Sequence, residues 1–237
     1  MTLALIDERV SSKIEDSLFK RGFYPIRVPK SKRLSEDVSS HPDILMFYDN
    51  GVLISSCDYA ESAQGLFCEI SMMRDGLKMS FTGDIQGDKY PLDCIYNAIR
   101  FENKLFLKAD TASSALLSYA EEHGLKIVAT KQGYPRCTTL KLNESTAISS
   151  DDGMLKLLSE NGVNAIKIRS GHISLPSREY GFIGGASGVF SDTVYFLGNL
   201  DTHPDCELIR KTIRSLGMRD VSLSDEPLFD GGTIIFL

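Results

Sequence analysis

The chain has 237 residues, 42% of them hydrophobic and 24% charged, which is enough for a sizeable core in one domain or two small ones. Its formal net charge of -6 excludes the dominant basic face that a nucleic-acid or anionic-membrane surface requires. We therefore expect no nucleic-acid partner and no membrane partner.

The first residues, MTLALIDERV, become charged at Asp7 before a signal-peptide apolar region is complete. No apolar run approaches the length of a membrane span, so a cytoplasmic location is expected. The cysteines are odd in number and show neither CxxC nor Cys/His zinc spacing. The stretch GFIGGASG lacks the GxGxxG spacing of a dinucleotide loop. We therefore predict no disulfide framework, no metal and no cofactor.

In chain order, one unit occurs five times: a helical segment, a glycine and a short strand. Each helical segment starts near an Asp or Ser and stops at a glycine, as helices commonly do. The closing glycines are Gly22, Gly76, Gly124, Gly162 and Gly217. The strands that follow them are FYPIRVP, LKMSFTG, LKIVAT, VNAIKIR and MRDVSLS.

Between each of these strands and the next helix lies a segment with two apolar arms and a polar turn. The first, HPDILMFYDNGVLI, predicts hairpin arms at 44–48 and 52–54, because Asn50-Gly51 suits a tight turn with positive φ. Three more lie within the chain: CIYNAIRFENKLFL, CTTLKLNESTAI and GFIGGASGVFSDTVYFLG. A fifth would be split between TLALI at the N-terminus and GGTIIFL at the C-terminus.

These units predict an α/β fold in which residues 1–237 form a single domain, a five-bladed pseudosymmetric α/β propeller closed by pairing of the N- and C-terminal strands. Such pairing removes exposed sheet edges. The alternative is a doubly wound parallel sheet, which the alternation of helix and strand would also indicate. The hairpin in every unit favours the propeller, since a doubly wound sheet needs single strands between helices.

Three motifs carry a resemblance to the pentein fold of guanidino-group-modifying enzymes, which include arginine and agmatine deiminases, dimethylargininase and amidinotransferases. Asp230-Gly231-Gly232 resembles the acidic motif, His41-Pro42-Asp43 the His-x-Asp element, and Cys137 in GYPRCTTLKL the nucleophile. Around the propeller their order is acid, histidine, spacer, cysteine, as in the superfamily. The KQGY, GFIGG and HPD elements are similar to those of uncharacterised bacterial members.

The resemblance implies that Cys137 attacks a guanidine or amidine carbon while His41 transfers protons and Asp230 orients His41. It also implies that Asp43 holds a cationic substrate group and that Gly184 and Gly185 let the backbone approach the ligand. Activation of Cys137 would require a lowered thiol pKa. In one respect the chain departs from the pattern, because GFIGGASG supplies no carboxylate to grip a guanidinium.

The same motifs also have purely structural interpretations. Cys137 can be a buried filler, and Cys94, which also begins a hairpin segment, competes as nucleophile. HPD can be an ordinary start of a strand, and the same tripeptide recurs at 203–205 before a helix. Two functions therefore stay open: a cysteine-dependent hydrolase or transferase with a small-molecule substrate, and a non-catalytic binding protein with a macromolecular partner. Self-association into a homo-oligomer also stays open.

Overall fold

A computed structural model describes all residues, 1–237, and its strands form five separate three-stranded sheets. The first sheet joins β1 (Thr2–Asp7), β2 (Phe23–Val28) and β15 (Ile235–Phe236). The next two contain β3 (Met46–Asp49), β4 (Val52–Ser56) and β5 (Lys78–Thr82), then β6 (Ala98–Phe101), β7 (Lys104–Leu107) and β8 (Lys126–Ala129). The last two contain β9 (Thr139–Lys141), β10 (Thr146–Ser149) and β11 (Asn164–Lys167), then β12 (Ser187–Phe190), β13 (Thr193–Phe196) and β14 (Arg219–Ser222).

Every sheet has the same topology, an antiparallel pair with a third strand parallel to the middle one. In the second sheet, for example, Phe47 of β3 pairs with Ile54 of β4, and Ile54 also pairs in parallel with Ser80 of β5. The hairpin predicted for each unit is present, and the strand after each closing glycine completes the sheet. A continuous doubly wound sheet is therefore excluded.

The fifth sheet takes strands from both termini. Ala4 pairs antiparallel with Phe236, and Leu5 pairs with Ile235. Leu3 and Leu237 extend the pairing by exchanging backbone hydrogen bonds of 3.1 and 3.0 Å. The predicted pairing of the N- and C-terminal strands is confirmed.

The eight helices are α1 (Ser12–Lys20), α2 (Pro42–Leu45), α3 (Cys57–Ser62), α4 (Gln64–Met73), α5 (Ser114–Glu122), α6 (Pro135–Thr138), α7 (Asp152–Glu160) and α8 (Cys206–Ser215). Six of them lie in the helical segments that the repeats predict, whereas α2 and α6 overlap the starts of two segments predicted as hairpins. At each closing glycine φ is positive, 86° at Gly22 for example, a conformation that residues with a side chain rarely adopt. No helix is long and apolar enough to span a bilayer.

Three local predictions were wrong. The hairpin segment CTTLKLNESTAI starts within helix α6, and its first strand begins only at Thr139. The hairpin arm expected from residue 44 begins only at Met46, because Pro42 starts a helical turn that includes Ile44 and Leu45. The helix expected before Gly76 is two helices, since Ala63 leaves the helical region with φ -115° and ψ 35°.

The first hairpin strand of every sheet faces a common central space. One cavity there is lined by Phe47, Ile99, Lys141, Val189 and Ile235, which come from β3, β6, β9, β12 and β15 in turn. The helices pack on the outside, and apolar clusters fill the layers between them and the sheets. This arrangement brings residues that are distant in sequence to a shared axis.

Candidate active site

Two single-turn helices at the start of hairpins carry three of the predicted site residues. His41 is the N-cap of α2 and Asp43 lies in its first turn, while Cys137 is the third residue of α6. Both turns begin at a proline, whose fixed φ suits the first helical position. All three side chains are buried, with 1% exposure for His41 and 3% for Asp43 and Cys137.

The reactive atoms of these three residues converge. The Cys137 thiol donates a hydrogen bond to Asp43 Oδ2 at 3.0 Å. One ring nitrogen of His41, one Asp43 oxygen and the Cys137 sulfur all lie within 4.8 Å of one another. Nitrogen, oxygen and sulfur donors at such separations could also bind a divalent cation such as zinc, so any assay of the thiol needs a chelator control.

Two further side chains hold this cluster in place, and neither belongs to a motif recognised in the sequence. Asn97 Nδ2 donates to the Cys137 sulfur at 3.2 Å and to the Asp43 carbonyl oxygen at 3.0 Å. The Thr233 hydroxyl donates to Asp43 Oδ2 at 2.9 Å. Asp43 Oδ1, by contrast, is buried without a hydrogen-bond partner.

His41 lies between two carboxylates. Neither of its ring nitrogens has a hydrogen-bond partner in the protein, but Nε2 is 3.7 Å from Asp7 Oδ2. Asp7 is itself fixed by Arg9, whose terminal nitrogen is 2.6 Å away, and by the Ser40 hydroxyl at 2.8 Å. Asp7 is a strand residue with no motif around it, so nothing in the sequence marked it as a neighbour of His41.

Asp230, the predicted acid, approaches His41 from the last loop before β15. Its carboxylate accepts backbone hydrogen bonds from Phe182 at 2.8 Å and from Gly232 at 3.1 Å. A Cβ atom at Gly232 would lie 2.2 Å from the Cβ of His41, so a glycine is needed for the loop to pack this closely.

The buried environment sets the protonation of the cluster. Burial raises the pKa of Cys137 well above its usual value, and the charges of Asp43 and Asp230 raise it further, against the Asn97 hydrogen bond. Burial lowers the pKa of His41, partly offset by Asp230 and Asp7. Burial raises the pKa of Asp43 and of Asp230. The lowered thiol pKa expected from the sequence is therefore wrong for the ligand-free protein, which holds a thiol beside a neutral imidazole.

Gly184 and Gly185 contact the cluster through the backbone. Gly185 N donates to the Cys137 carbonyl oxygen at 2.9 Å, and a Cβ at Gly185 would lie 1.9 Å from Asp230 Oδ1. A Cβ at Gly184 would lie 2.3 Å from the Arg136 carbonyl oxygen. These glycines let the chain pass between the Cys137 turn and Asp230, and neither lines the adjoining cavity.

A cavity of about 290 Å³ opens onto Cys137, His41 and Asp230 together. Its other walls are mainly apolar and aromatic: Val38, Ile44, Tyr134, Leu175, Tyr180 and Phe182. The exposed Glu179 stands at its rim, where Arg178 pairs with the buried Asp37. Glu179 lies two residues before GFIGGASG, so this region does supply a carboxylate to the cavity.

Cys94, the competing nucleophile, lies outside this cavity. It belongs to a short helical turn, Leu92–Cys94, and its thiol donates to the Pro91 carbonyl oxygen at 3.1 Å. Burial and the neighbouring Asp93 raise its pKa to about 12. Cys137, by contrast, shares a cavity of substrate size with His41.

Sequence comparison places the chain in a family. A family profile described as "Family of unknown function (DUF6873)" matches residues 5–235. The chain belongs to this family. A search of curated proteins finds no match.

Several solved structures share the fold of this DUF6873 protein. Dimethylarginine dimethylaminohydrolase from Pseudomonas aeruginosa, in complex with citrulline, has a TM-score of 0.56 and 10% identity, over 94% of this chain and 91% of that chain. An amidinotransferase of saxitoxin biosynthesis from Microseira wollei has a TM-score of 0.57 and 12% identity, over 90% and 73%. A substrate-bound agmatine deiminase from C. jejuni has a TM-score of 0.55 and 10% identity, over 99% and 92%. The pentein fold predicted from the motifs is confirmed.

Proposed function

We propose that this DUF6873 protein is a cysteine-dependent hydrolase or transferase that cleaves a C–N bond of a small guanidine- or amidine-type cation. The observation that carries the proposal is the convergence of Cys137, His41 and Asp230 on one cavity, with Asp43 3.0 Å from the sulfur. At about 290 Å³ the cavity is near the lower limit of roughly 300 Å³ for small-molecule sites, so the substrate is small.

Carboxylates supply the means to hold a cation. Glu179 stands at the rim of the cavity, and Asp43 lies behind the sulfur, outside the cavity lining, with Oδ1 unpaired. A cation bound against Cys137 favours the thiolate, because it stabilises the negative charge on sulfur. The substrate itself thereby supplies the lowering of the thiol pKa that the free protein lacks.

The resting protonation states suit the reaction. Neutral His41 takes the thiol proton, and the Cys137 sulfur forms a bond to the central carbon of the cation. The C–N bond then breaks, and His41 returns the proton to the departing amine. Water in a hydrolase, or a second amine in a transferase, next attacks the same carbon and releases Cys137, again with His41 as base. Asp230 and Asp7 stabilise the imidazolium in each step.

Alkylation with a matched pair of reagents tests the proposal without knowledge of the substrate. Chloroacetamidine is cationic and chloroacetamide is its neutral counterpart. At each cysteine we compare the chloroacetamidine rate with the chloroacetamide rate. We expect this ratio to be at least about tenfold larger at Cys137 than at the exposed Cys68, which corresponds to roughly 1.4 kcal/mol. His41→Ala should slow labelling of Cys137 with both reagents. Peptide mass spectrometry with and without EDTA provides the measurement.

Equal ratios at Cys137 and Cys68, unchanged by His41→Ala, would contradict the enzyme and favour the non-catalytic binding protein. Asp43→Asn separates cation binding from sulfur activation. It should lower the chloroacetamidine rate more than the chloroacetamide rate, because the lost carboxylate attracts only the cation.

A further inference from the structure

A second cavity, of about 210 Å³, lies behind the candidate active site. Helices α2 and α6 separate the two spaces, since adjacent residues of each line different cavities. In α2, Asp43 lines the second cavity and Ile44 lines the first. In α6, Arg136 lines the second and Cys137 the first. The second cavity is the central space that strands of all five sheets surround.

Arg136 occupies this cavity with its guanidinium free. Its backbone N–H donates to Asn97 Oδ1 at 2.8 Å, but its side chain forms no hydrogen bond and only longer-range attractions to Asp43, Cys137 and Asp49. A guanidinium carries five N–H donors in a planar fork. Burial lowers the pKa of Arg136, and the attractions of Asp43, Cys137 and Asp49 oppose that effect only in part.

The acids around the cavity accept hydrogen bonds from other groups, except at Asp43 Oδ1, which has no partner. Asp49 Oδ2 accepts from Arg100 at 2.8 Å and from the Tyr119 hydroxyl at 2.7 Å. Asp43 Oδ2 accepts from Cys137 and Thr233. None of these bonds involves Arg136.

Two more cations border the same space. Besides Arg100, Lys141 lines the cavity, and its Nζ donates to the Arg100 carbonyl oxygen at 2.7 Å and pairs with Glu144. Lys141 is thus paired with Glu144 and Arg100 with Asp49, so Arg136 is the cation of the lining that is left without a salt bridge. An anion that entered would meet this open guanidinium, with the Asp43 carboxylate as the competing acid.

We propose that this central cavity binds a small oxyanion, a carboxylate or phosphate group, through a forked pair of hydrogen bonds from Arg136. The planar guanidinium matches two oxygens of such a group, which is why arginine is favoured for bidentate recognition. The apolar side chains of Phe47, Ile99, Val189 and Ile234 complete the walls and leave room for a short apolar body behind the charge.

Arg136 is separate from the proposed chemistry, because it does not line the cavity that contains His41, Cys137 and Asp230. Asp43 is the residue that connects the two, since it contacts the sulfur and lines the second cavity. Substitution of Arg136 should leave the fold intact, because its half-buried side chain makes no hydrogen bond. Arg136→Met is thus a usable probe of binding.

Calorimetric titration at constant ionic strength tests the proposal with inorganic phosphate, butyrate and the neutral analogue butyramide. We expect saturable binding of phosphate or butyrate, and the tighter of the two identifies the oxyanion. Butyramide should bind at least tenfold more weakly than that anion. Arg136→Met should weaken anion binding at least tenfold, and Arg136→Lys, which keeps the charge without the fork, should weaken it less.

Two controls locate the binding. Arg219→Met removes an exposed arginine paired with Asp192 and should leave anion affinity unchanged. Cys137→Ser should also retain anion binding, because the sulfur faces the other cavity. Absence of saturable binding up to about 50 mM, well above the millimolar range of weak sites, would overturn the proposal. So would an affinity in Arg136→Met equal to that of the unmodified protein.

Discussion

The side-chain amide of Asn97 donates one hydrogen bond to the Cys137 sulfur, at 3.2 Å, and another to the Asp43 carbonyl oxygen, at 3.0 Å. Its oxygen accepts from Arg136 N at 2.8 Å. A single amide, one residue before β6, therefore joins the turn that carries His41 and Asp43 to the turn that carries Cys137. The spacer unit of the sequence contributes directly to the candidate site.

Asn97→Asp should slow the alkylation of Cys137 at least tenfold. The substitution keeps the oxygen that accepts from Arg136 but replaces the donor to sulfur with a negative charge. A hydrogen bond to a charged group contributes roughly 1.5–3 kcal/mol, so its loss should disfavour the thiolate by at least about tenfold. Asn143→Asp, in an exposed turn, is the matched control and should leave the rate unchanged. An unaltered rate in Asn97→Asp would show that the amide only positions the two turns.

Asp7→Asn should lower the pKa of His41 further, because Asp7 is one of three carboxylates, with Asp230 and Asp37, that oppose the effect of burial on the imidazole. NMR titration of the His41 ring resonances measures this directly. Asp205→Asn, which removes the carboxylate beside His203, is the control and should leave the His41 titration unchanged. The same His41 pKa in Asp7→Asn would mean that Asp230 and Asp37 set the charge of the ring without Asp7.

Asp43→Asn should stabilise the ligand-free protein at pH 7. The folded-state pKa of Asp43 is raised, so its contribution to stability is present below the unfolded value of 3.8 and is lost as the pH rises through the folded value. We expect an increase in Tm of about 2–4 °C at pH 7, equivalent to about 1 kcal/mol, and a smaller difference near pH 4. Asp49→Asn, which removes the partner of Arg100, should instead lower Tm. A lower Tm in Asp43→Asn as well as in Asp49→Asn would contradict the inference that the Asp43 carboxylate carries an uncompensated charge.

Cys137→Ala should make the protein less sensitive to alkali. The raised thiol pKa gives a contribution to stability that is present below the unfolded value of 9.0 and is lost above it, by about 1.4 kcal/mol per pH unit. Chemical denaturation between pH 8 and pH 10 should therefore show a shallower decline in Cys137→Ala than in the unmodified protein. Cys68→Ala, at an exposed thiol, should show no such change. Parallel declines in all three proteins would place the Cys137 thiol in a more polar environment than the structure indicates.

Much of the fold follows from local sequence signals. Glycine at position 22 adopts a φ of 86° after α1, and Asp151 caps α7 by accepting from Met154 N at 2.7 Å. Asn50-Gly51 forms the predicted hairpin turn, with positive φ at both residues. These effects depend on neighbouring residues alone, so a single sequence reveals them.

The parts that escaped prediction depend on distant contacts or on very short elements. Helix α2 has four residues, too few for a helical periodicity, and its proline is equally compatible with the start of a strand. Asp7 meets His41 across 34 positions, and Asn97 meets Cys137 across 40. Such pairs follow from how the sheets pack around the axis, and no local pattern records that packing.

The pairing of β1 with β15 has a consequence for the folding of the chain during its synthesis on the ribosome. Four of the sheets consist of strands that follow one another along the chain, so each can form as synthesis proceeds. The sheet that joins Ala4 to Phe236 cannot be completed in this way, because β1 pairs with residues that are synthesised more than two hundred positions later. Asp230 and Thr233 arrive with the same last segment. A nascent chain therefore carries Cys137 and His41 without their final neighbours until residues 230–236 have been synthesised.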